Sequence, residues 1–210
     1  MKIRIIGGGP AGLYFSILVK KNAPSADIEV WERHKRGSTF GWGVVFSDET
    51  VKGFLSADEE SSEQILGSLY HWDDIDVHYK GTTTRSTGHG FSGISRQKLL
   101  DILTARAESL GVSVLFEQNV ECSPEEVDAD LVVAADGIFS KTRGQLSDQF
   151  KPNVDWRKCK YVWLGTEKLF DAFTFAFKET EYGWFQAHAY RFDENTLINT
   201  LSLKNPNLLL

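Results

Sequence analysis

The chain has 210 residues, of which 41% are hydrophobic, 25% charged and 12% aromatic, as is typical of a folded globular protein. Its net charge of -6 and its pI of about 5.4 give it no field that would attract nucleic acid or an anionic membrane surface. No apolar run approaches the roughly 20 residues of a membrane span, and two distant cysteines exclude a disulfide framework, so the sequence favours a reducing cytoplasm.

The first 31 residues predict one βαβ unit. Lys2–Ile6 is a short apolar strand, and the three glycines that follow interrupt it. Pro10 suits the first position of a helix, where its missing N–H costs nothing, and the helix continues through Ala11–Lys20. Ile28–Trp31 is then predicted as the next strand.

The turn between the first strand and the helix carries a dinucleotide-binding pattern. Gly7, Gly9 and Gly12 have G-x-G-x-x-G spacing, in which they permit a tight turn, close approach of a pyrophosphate and close packing of helix on strand. Glu32 follows 20 residues after Gly12, where a carboxylate accepts hydrogen bonds from ribose hydroxyls and argues against a 2′-phosphate. The motif alone leaves FAD and NAD open. The candidate cofactor-binding residues of this region are Gly7, Gly9, Pro10, Ala11, Gly12, Glu32 and Arg33.

The remaining elements predict an α/β fold that becomes β-rich towards its end. Residues 38–94 are expected to form a loop-rich excursion with a few strands, such as Val44–Phe46 and Ile75–Tyr79. Ser95 is a plausible N-cap for a helix that Gly111 ends. Buried strands are predicted at Val112–Phe116 and Leu131–Ala135, and alternating phenylalanines predict a strand at residues 173–177. We expect a Rossmann-like domain over residues 1–155, interrupted and followed by pieces of a β-rich substrate domain, the second at 156–210.

A second motif follows the strand that ends at Ala135. The segment from Asp130 to Arg143 resembles the long Asp-Gly motif of the aromatic-ring flavoprotein monooxygenases and matches it at Asp130, Asp136, Gly137, Ser140 and Arg143. The alternative interpretation is a buried strand that ends in an ordinary Asp-Gly turn. The resemblance implies that the dinucleotide is FAD and that Asp136 and Gly137 contact it. It also implies that Arg96, at the start of a helix, reaches the flavin side of the cofactor.

Several aromatic segments narrow the resemblance to the salicylyl-CoA 5-hydroxylase and 2-aminobenzoyl-CoA monooxygenase group, with similarity to the tryptophan-derivative hydroxylase of violacein biosynthesis. These segments are 39–47, 88–91, 160–166 and 184–190. The resemblance implies FAD as cofactor, NAD(P)H as co-substrate, and hydroxylation of an aromatic ring, either free or as a CoA thioester. The resemblance does not identify a catalytic side chain or an oligomeric state, and no metal site is expected.

The end of the chain departs from that group. A later Gly-Asp segment is not found, and Leu197–Leu210 does not match the expected strand. We therefore expect a truncated or frameshifted product that hydroxylates nothing by itself and whose strand at Phe173–Phe177 lacks sheet neighbours. The alternative to an FAD-dependent hydroxylase is a non-catalytic remnant that binds nucleotide poorly or not at all. A third interpretation, an NAD-dependent dehydrogenase, is disfavoured because the Asp-Gly segment has no role there.

Overall fold

The computed structural model describes residues 1–166, 168 and 170–192, together with the backbone alone of 197–204. The strands are β1 (Lys2–Ile6), β2 (Asp27–Glu32), β3 (Gly43–Ser47), β4 (Tyr70–Trp72), β5 (Ile75–Tyr79), β6 (Thr82–Ser86), β7 (Phe91–Ser95), β8 (Ser113–Phe116), β9 (Leu131–Ala134), β10 (Lys160–Thr166), β11 (Phe173–Thr180), β12 (Gly183–Arg191) and β13 (Leu197–Lys204). The helices are α1 (Pro10–Asn22), α2 (Asp48–Ala57), α3 (Glu59–Leu66), α4 (Arg96–Ser109), α5 (Lys141–Gln145) and α6 (Ser147–Phe150), with a 3-10 turn at Pro124–Glu126.

Chain contacts divide these elements into two units. The parallel-sheet unit comprises Met1–Ser38, Ala57–Ser61 and Gln97–Val154. The mixed-sheet unit comprises Thr39–Ser56, Ser62–Arg96 and Asp155–Leu210. The excursion after residue 38 thus groups with the aromatic end of the chain rather than with the segments that flank it.

The parallel-sheet unit is built on a four-stranded sheet of order β8-β2-β1-β9, in which every adjacent pair is parallel. The predicted βαβ unit is confirmed: Pro10 occupies the start of α1, and α1 connects β1 to β2. The buried apolar side chains of this unit are Ile3, Ile5, Leu13, Ile17, Ile28, Val30, Leu99, Ile102, Leu103 and Ala107. Helices α1 and α4 therefore bury their apolar sides in the same core as the sheet.

The mixed-sheet unit contains a six-stranded sheet of order β10-β13-β12-β11-β5-β6 and a three-stranded sheet of order β3-β7-β4. Strand β11 pairs with β12 on one side and with β5 on the other. The expectation that Phe173–Phe177 lacks sheet neighbours was therefore wrong. The tail from Leu197 lies outside the described residues, apart from the backbone of β13, which pairs with β10 and β12.

Residues 48–66 fold into α2 and α3, so the expectation of a loop-rich stretch was wrong for this part of the excursion. Asp48 and Glu49 occupy the first turn of α2, where their charge complements the helix dipole. The carboxylate of Asp58 accepts a hydrogen bond from the N–H of Ser61 at 3.1 Å and thereby caps the first turn of α3. Both signals were present in the sequence but were outweighed there by the frequent glycines.

Strands β8 and β9 are less buried than predicted. Leu115 of β8 is 40% exposed and Leu131 of β9 is 42% exposed. They are the two outer strands of the four-stranded sheet, so each has a strand neighbour on one side only. Among the described residues, no helix combines the length and the apolar character needed to cross a membrane.

Candidate functional site

The glycine turn and the Asp-Gly turn lie side by side at the carboxyl ends of β1 and β9. The N–H of Ala135 donates to the carbonyl of Ile6 at 2.8 Å, and the N–H of Gly7 donates to the carbonyl of Trp31 at 2.9 Å. The strand order turns back between β1 and β9, because β2 and β8 extend the sheet on the opposite side of β1. In open parallel sheets, ligands bind outside the strand ends at this switch point.

Three glycines of the turn have different local roles. Gly7 has a φ of +110°, and a Cβ there would overlap the carbonyl of Ala135. A Cβ at Gly12 would overlap the carbonyl oxygen of Gly7 and lie 3.2 Å from the side chain of Ile5. By contrast, a Cβ at Gly9 would meet nothing within 4 Å. Gly7 and Gly12 are required by the fold itself, whereas the surface beside Gly9 is open to a ligand.

The N-terminus of α1 faces this open surface without a capping side chain. Gly9 precedes the helix in an extended conformation, and no side chain caps its first turn. Pro10 and Ala11 begin the helix, and the first turn contains no acidic residue. Helix α1 has 13 residues, so its N-terminal N–H groups and dipole favour an anion such as a phosphate.

Glu32 lies at the end of β2, directly beside the glycine turn. Its Oε2 accepts from the N–H of Gly8 at 2.9 Å, and its Oε1 accepts from the N–H of His34 at 2.9 Å. The two backbone donors fix the orientation of the carboxylate, and each oxygen retains a lone pair. A Cβ at Gly8 would lie only 2.8 Å from that of Glu32. Arg33 is exposed, and its Nε lies 3.0 Å from Nε2 of His34.

Asp136 and Gly137 form a turn that its own neighbours hold in place. Oδ2 of Asp136 accepts from the N–H of Thr142 at 3.2 Å, and Gly137 has a φ of +82°. Ser140 caps α5 by accepting from the N–H of Arg143 at 2.9 Å. The guanidinium of Arg143 donates to the carbonyl of Ile138 at 2.6 Å. The later positions of the motif thus stabilise the turn, and its first carboxylate lies beside the glycine turn.

The structure brings nine of the ten candidates into one unit, and Arg96 belongs to the other unit. Arg96 begins α4, and its backbone N–H donates to the carbonyl of Trp42 at 2.8 Å. Its Nε is buried and has no hydrogen-bond partner among the described residues. A buried donor without an acceptor is rare in folded proteins and indicates a missing partner. A contact of Arg96 with the other candidates stays a prediction.

Sequence reasoning missed two residues of this site. Gly8 was treated as the variable position of the glycine motif, yet its N–H and its lack of a side chain position Glu32. The signal was the third consecutive glycine. Thr142, which donates its N–H to Asp136, is buried and lies two residues after the N-cap serine. No group of three or more metal-ligating side chains converges within the described part of the chain.

A parallel sheet with a glycine turn, an acidic residue ending the second strand and a ligand-accessible switch point defines a dinucleotide-binding α/β protein. No family model matches the chain. The chain is 40% identical over 190 residues to salicyloyl-CoA 5-hydroxylase from Streptomyces sp. This match covers 90% of this chain and 37% of that protein. It is 32% identical over 202 residues to protodeoxyviolaceinate monooxygenase from Chromobacterium violaceum, covering 92% of this chain and 52% of that protein.

Solved structures show the same fold. The tetrameric form of 2-methyl-3-hydroxypyridine-5-carboxylic acid oxygenase matches with a TM-score of 0.79 and 21% identity, over 96% of this chain and 58% of that one. CtdE in complex with FAD matches with a TM-score of 0.75 and 18% identity, over 100% of this chain and 61% of that one. The predicted resemblance to this group of hydroxylases and monooxygenases is confirmed. The chain spans between about a third and about half of the length of the two curated relatives.

Proposed function

We propose that this chain binds FAD across the carboxyl ends of β1 and β9 and forms the flavin-binding part of an NAD(P)H- and O2-dependent hydroxylase of aromatic rings. The observation that carries the proposal is the pairing of an uncapped helix N-terminus, with open space at Gly9, and the Asp136 turn at one switch point. The presence of FAD in CtdE supports the choice of flavin over NAD.

Each candidate residue has a role that its geometry allows. The N–H groups of Ala11 and Gly12 would hold the pyrophosphate at the positive end of α1. Glu32, held by Gly8 and His34, would accept hydrogen bonds from the hydroxyls of the adenosine ribose. Asp136, oriented by Thr142, would accept them from the ribityl chain. Gly9 keeps the phosphate side free of side-chain atoms.

Arg96 and Arg33 are the remaining proposed ligands of the cofactor. The buried, unpartnered Nε of Arg96 fits an anionic oxygen of the cofactor, which would supply the acceptor that the donor lacks. Arg33 is exposed next to Glu32 and would contact the same end of the cofactor. Bound FAD would supply the electron transfer from NAD(P)H and the activation of O2 that ring hydroxylation requires. The residues named here bind and orient it.

The substrate that we propose is an aromatic ring, carried as a CoA thioester. The support is the 40% identity with a relative named for salicyloyl-CoA, which exceeds the identity with the relative named for protodeoxyviolaceinate. The chain's two cysteines, Cys122 and Cys159, are exposed thiols, which suits the reducing cytoplasm in which we place the enzyme.

The proposal is tested by FAD binding to the purified chain and to two variants. Gly9→Val adds a side chain whose Cβ meets no protein atom within 4 Å, so the fold should persist while FAD affinity falls by at least about tenfold. Gly144→Val is the matched control, because Gly144 is equally open but lies in α5. Titration with FAD, followed by flavin fluorescence and calorimetry, measures both. Equal FAD affinity in the wild type and Gly9→Val would contradict the assignment.

A further inference from the structure

Strand β6 is an outer strand of the six-stranded sheet. It pairs with β5 on one side, in a register that runs from Ile75 with Ser86 to Tyr79 with Thr82. All five residues of β6 are exposed. No strand among the described residues pairs with its other side. The backbone groups on that side can therefore accept a further strand.

The turn between β5 and β6 determines which backbone groups point outward. Residues 80 and 81 form a two-residue turn with φ values of 47° and 79°, which is the type I′ geometry of a tight hairpin. The pair that closes such a turn, Tyr79 with Thr82, exchanges both backbone hydrogen bonds, and bonded and non-bonded pairs alternate from there. Thr83 and Arg85 therefore point their N–H and C=O groups away from β5.

Strand β6 lacks the features that usually protect an outer strand. Lysine, proline and β-bulges are common at such positions because they prevent pairing with another chain. The strand contains no lysine or proline, and its continuous pairing with β5 leaves no bulge. Its one charged residue is Arg85, whose guanidinium donates to both carboxylate oxygens of Asp76 at 2.7 Å and to Asp74 at 3.2 Å. The carboxylates of the neighbouring segment thus neutralise the charge of this strand.

The sequence of β6 complements itself in one antiparallel register. A two-fold axis that relates two copies of a strand places one residue opposite itself. With Thr84 at that position, Thr83 lies opposite Arg85 of the second copy, and Thr82 lies opposite Ser86. The outward N–H and C=O groups of Thr83 and Arg85 then bond each other in both halves, and the hydroxyl-bearing residues face one another, which favours pairing. A register centred on Arg85 would instead place two guanidinium groups in opposition.

We propose that β6 of one copy pairs with β6 of a second copy about Thr84, so that the two six-stranded sheets join into one continuous sheet across a two-fold symmetric dimer. A second copy fits this surface because its own outward groups satisfy those of the first and because no like charges meet. The contact involves one short strand from each copy, so the dimer should be weak and should dissociate on dilution. The dimer does not depend on FAD.

The test measures the mass of the purified chain by sedimentation velocity over a range of concentrations. The wild type should rise from 23.6 kDa towards twice that mass as its concentration increases. Thr84→Lys places two ammonium groups opposite each other and should weaken the dimer by about fivefold or more. Thr82→Lys is the matched control, because residue 82 is equally exposed on the same face but lies opposite Ser86. It should dimerise like the wild type.

Disulfide cross-linking tests the register and serves if Thr84→Lys fails to fold. The exposed thiols are first removed by Cys122→Ser and Cys159→Ser. In Thr84→Cys the two thiols face each other with Cα atoms about 4.5 Å apart, which a disulfide spans. In Thr82→Cys they are about 13 Å apart along the strands, which is too far. Oxidised glutathione should therefore link Thr84→Cys and leave Thr82→Cys unlinked.

Three results would each overturn the inference. The first is a wild-type chain that remains a monomer at the highest concentration measured. The second is a dimer that Thr84→Lys and Thr82→Lys affect alike. The third is cross-linking at both cysteine positions or at neither. A dimer with this register but without FAD affinity overturns only the proposed function.

Discussion

The two sheets of this chain form surfaces of different kinds. In the parallel sheet the candidate binding surface lies at strand ends and consists mostly of backbone, with Gly7–Gly12 and Asp136 contributing turns. In the six-stranded sheet one face consists of side chains, with His188 and Gln186 among aromatic rings. An added Cβ at Gly7 or Gly12 would overlap backbone atoms, whereas a surface made of side chains accommodates exchange. The two units should therefore respond differently to substitution.

The largest effect is expected at Asp58, which is fully buried in the parallel-sheet unit. Its carboxylate pairs with Arg106 at 3.0 Å and with Lys21 at 2.9 Å. Burial opposes its ionisation, but hydrogen bonds from Arg106, Lys21 and Ser61 outweigh burial and hold its pKa well below the usual range. Asp58→Ala takes the buried carboxylate away from Lys21 and leaves Arg106 with the more exposed Glu60, so it should lower the free energy of unfolding by about 3–5 kcal/mol.

Fluorotryptophan NMR during urea unfolding measures this change unit by unit. Of the 6 tryptophans, Trp31 alone belongs to the parallel-sheet unit. The resonance of Trp31 should report the lower free energy of unfolding of this unit, while the resonances of Trp163 and Trp184 report unfolding of the mixed-sheet unit. Asp128→Ala is the matched control, since Asp128 pairs with Lys2 but is 92% exposed and should leave unfolding unchanged. If Asp58→Ala and Asp128→Ala unfold alike, the buried network does not stabilise the unit.

A smaller loss is expected at Gly12. A Cβ there overlaps the carbonyl oxygen of Gly7, so Gly12→Ala forces α1 away from β1 and should cost about 1–3 kcal/mol. Gly144→Ala, at an open helical position, should cost nothing or add slight stability. Urea unfolding followed at Trp31 distinguishes them. Retained stability in Gly12→Ala would show that the contact between α1 and β1 accommodates an added Cβ.

The sequence predicted well the strand, helix and turn that carry the parallel-sheet candidates, whereas the cofactor contacts of all ten candidates stay predictions. The strand Lys2–Ile6 and the helix from Pro10 are indicated by residues that are close in the sequence, and the structure confirms both. The long Asp-Gly segment was recognised for the same reason, although the cofactor contacts of Asp136 and Gly137 stay predictions. Local patterns also sufficed for β11, where alternating phenylalanines identified the strand.

The rest depended on information that no single segment carries. The aromatic rings around His188 come together through pairings such as that with Phe175, which only the strand register reveals. The exposure of Leu131 depends on β9 being an outer strand, and apolar content alone did not indicate that. Helix α3 is capped by Asp58, whose partner Arg106 lies 48 residues later in the sequence. Distant pairings of this kind are not visible in any single segment, whereas α2 and α3 themselves were missed because frequent glycines outweighed their local signals.

The smallest expected effect is a pH dependence of the mixed-sheet unit that His188 produces. Burial lowers the pKa of His188 in the folded chain, and its ring contacts the uncharged side chains of Gln186 and Phe175. The unfolded chain takes up a proton near pH 6.5, whereas the folded chain resists it, so the contribution of His188 is complete above pH 6.5 and declines as the pH falls below it. The phenylalanine in His188→Phe cannot take up a proton. The free energy of unfolding of this variant, followed through the resonance of Trp184, should therefore fall less between pH 7 and pH 5 than that of the wild type. In the control variant His78→Phe, the free energy of unfolding should decline with falling pH as in the wild type. Identical pH profiles for the wild type and His188→Phe would show that the imidazole is not held neutral by burial.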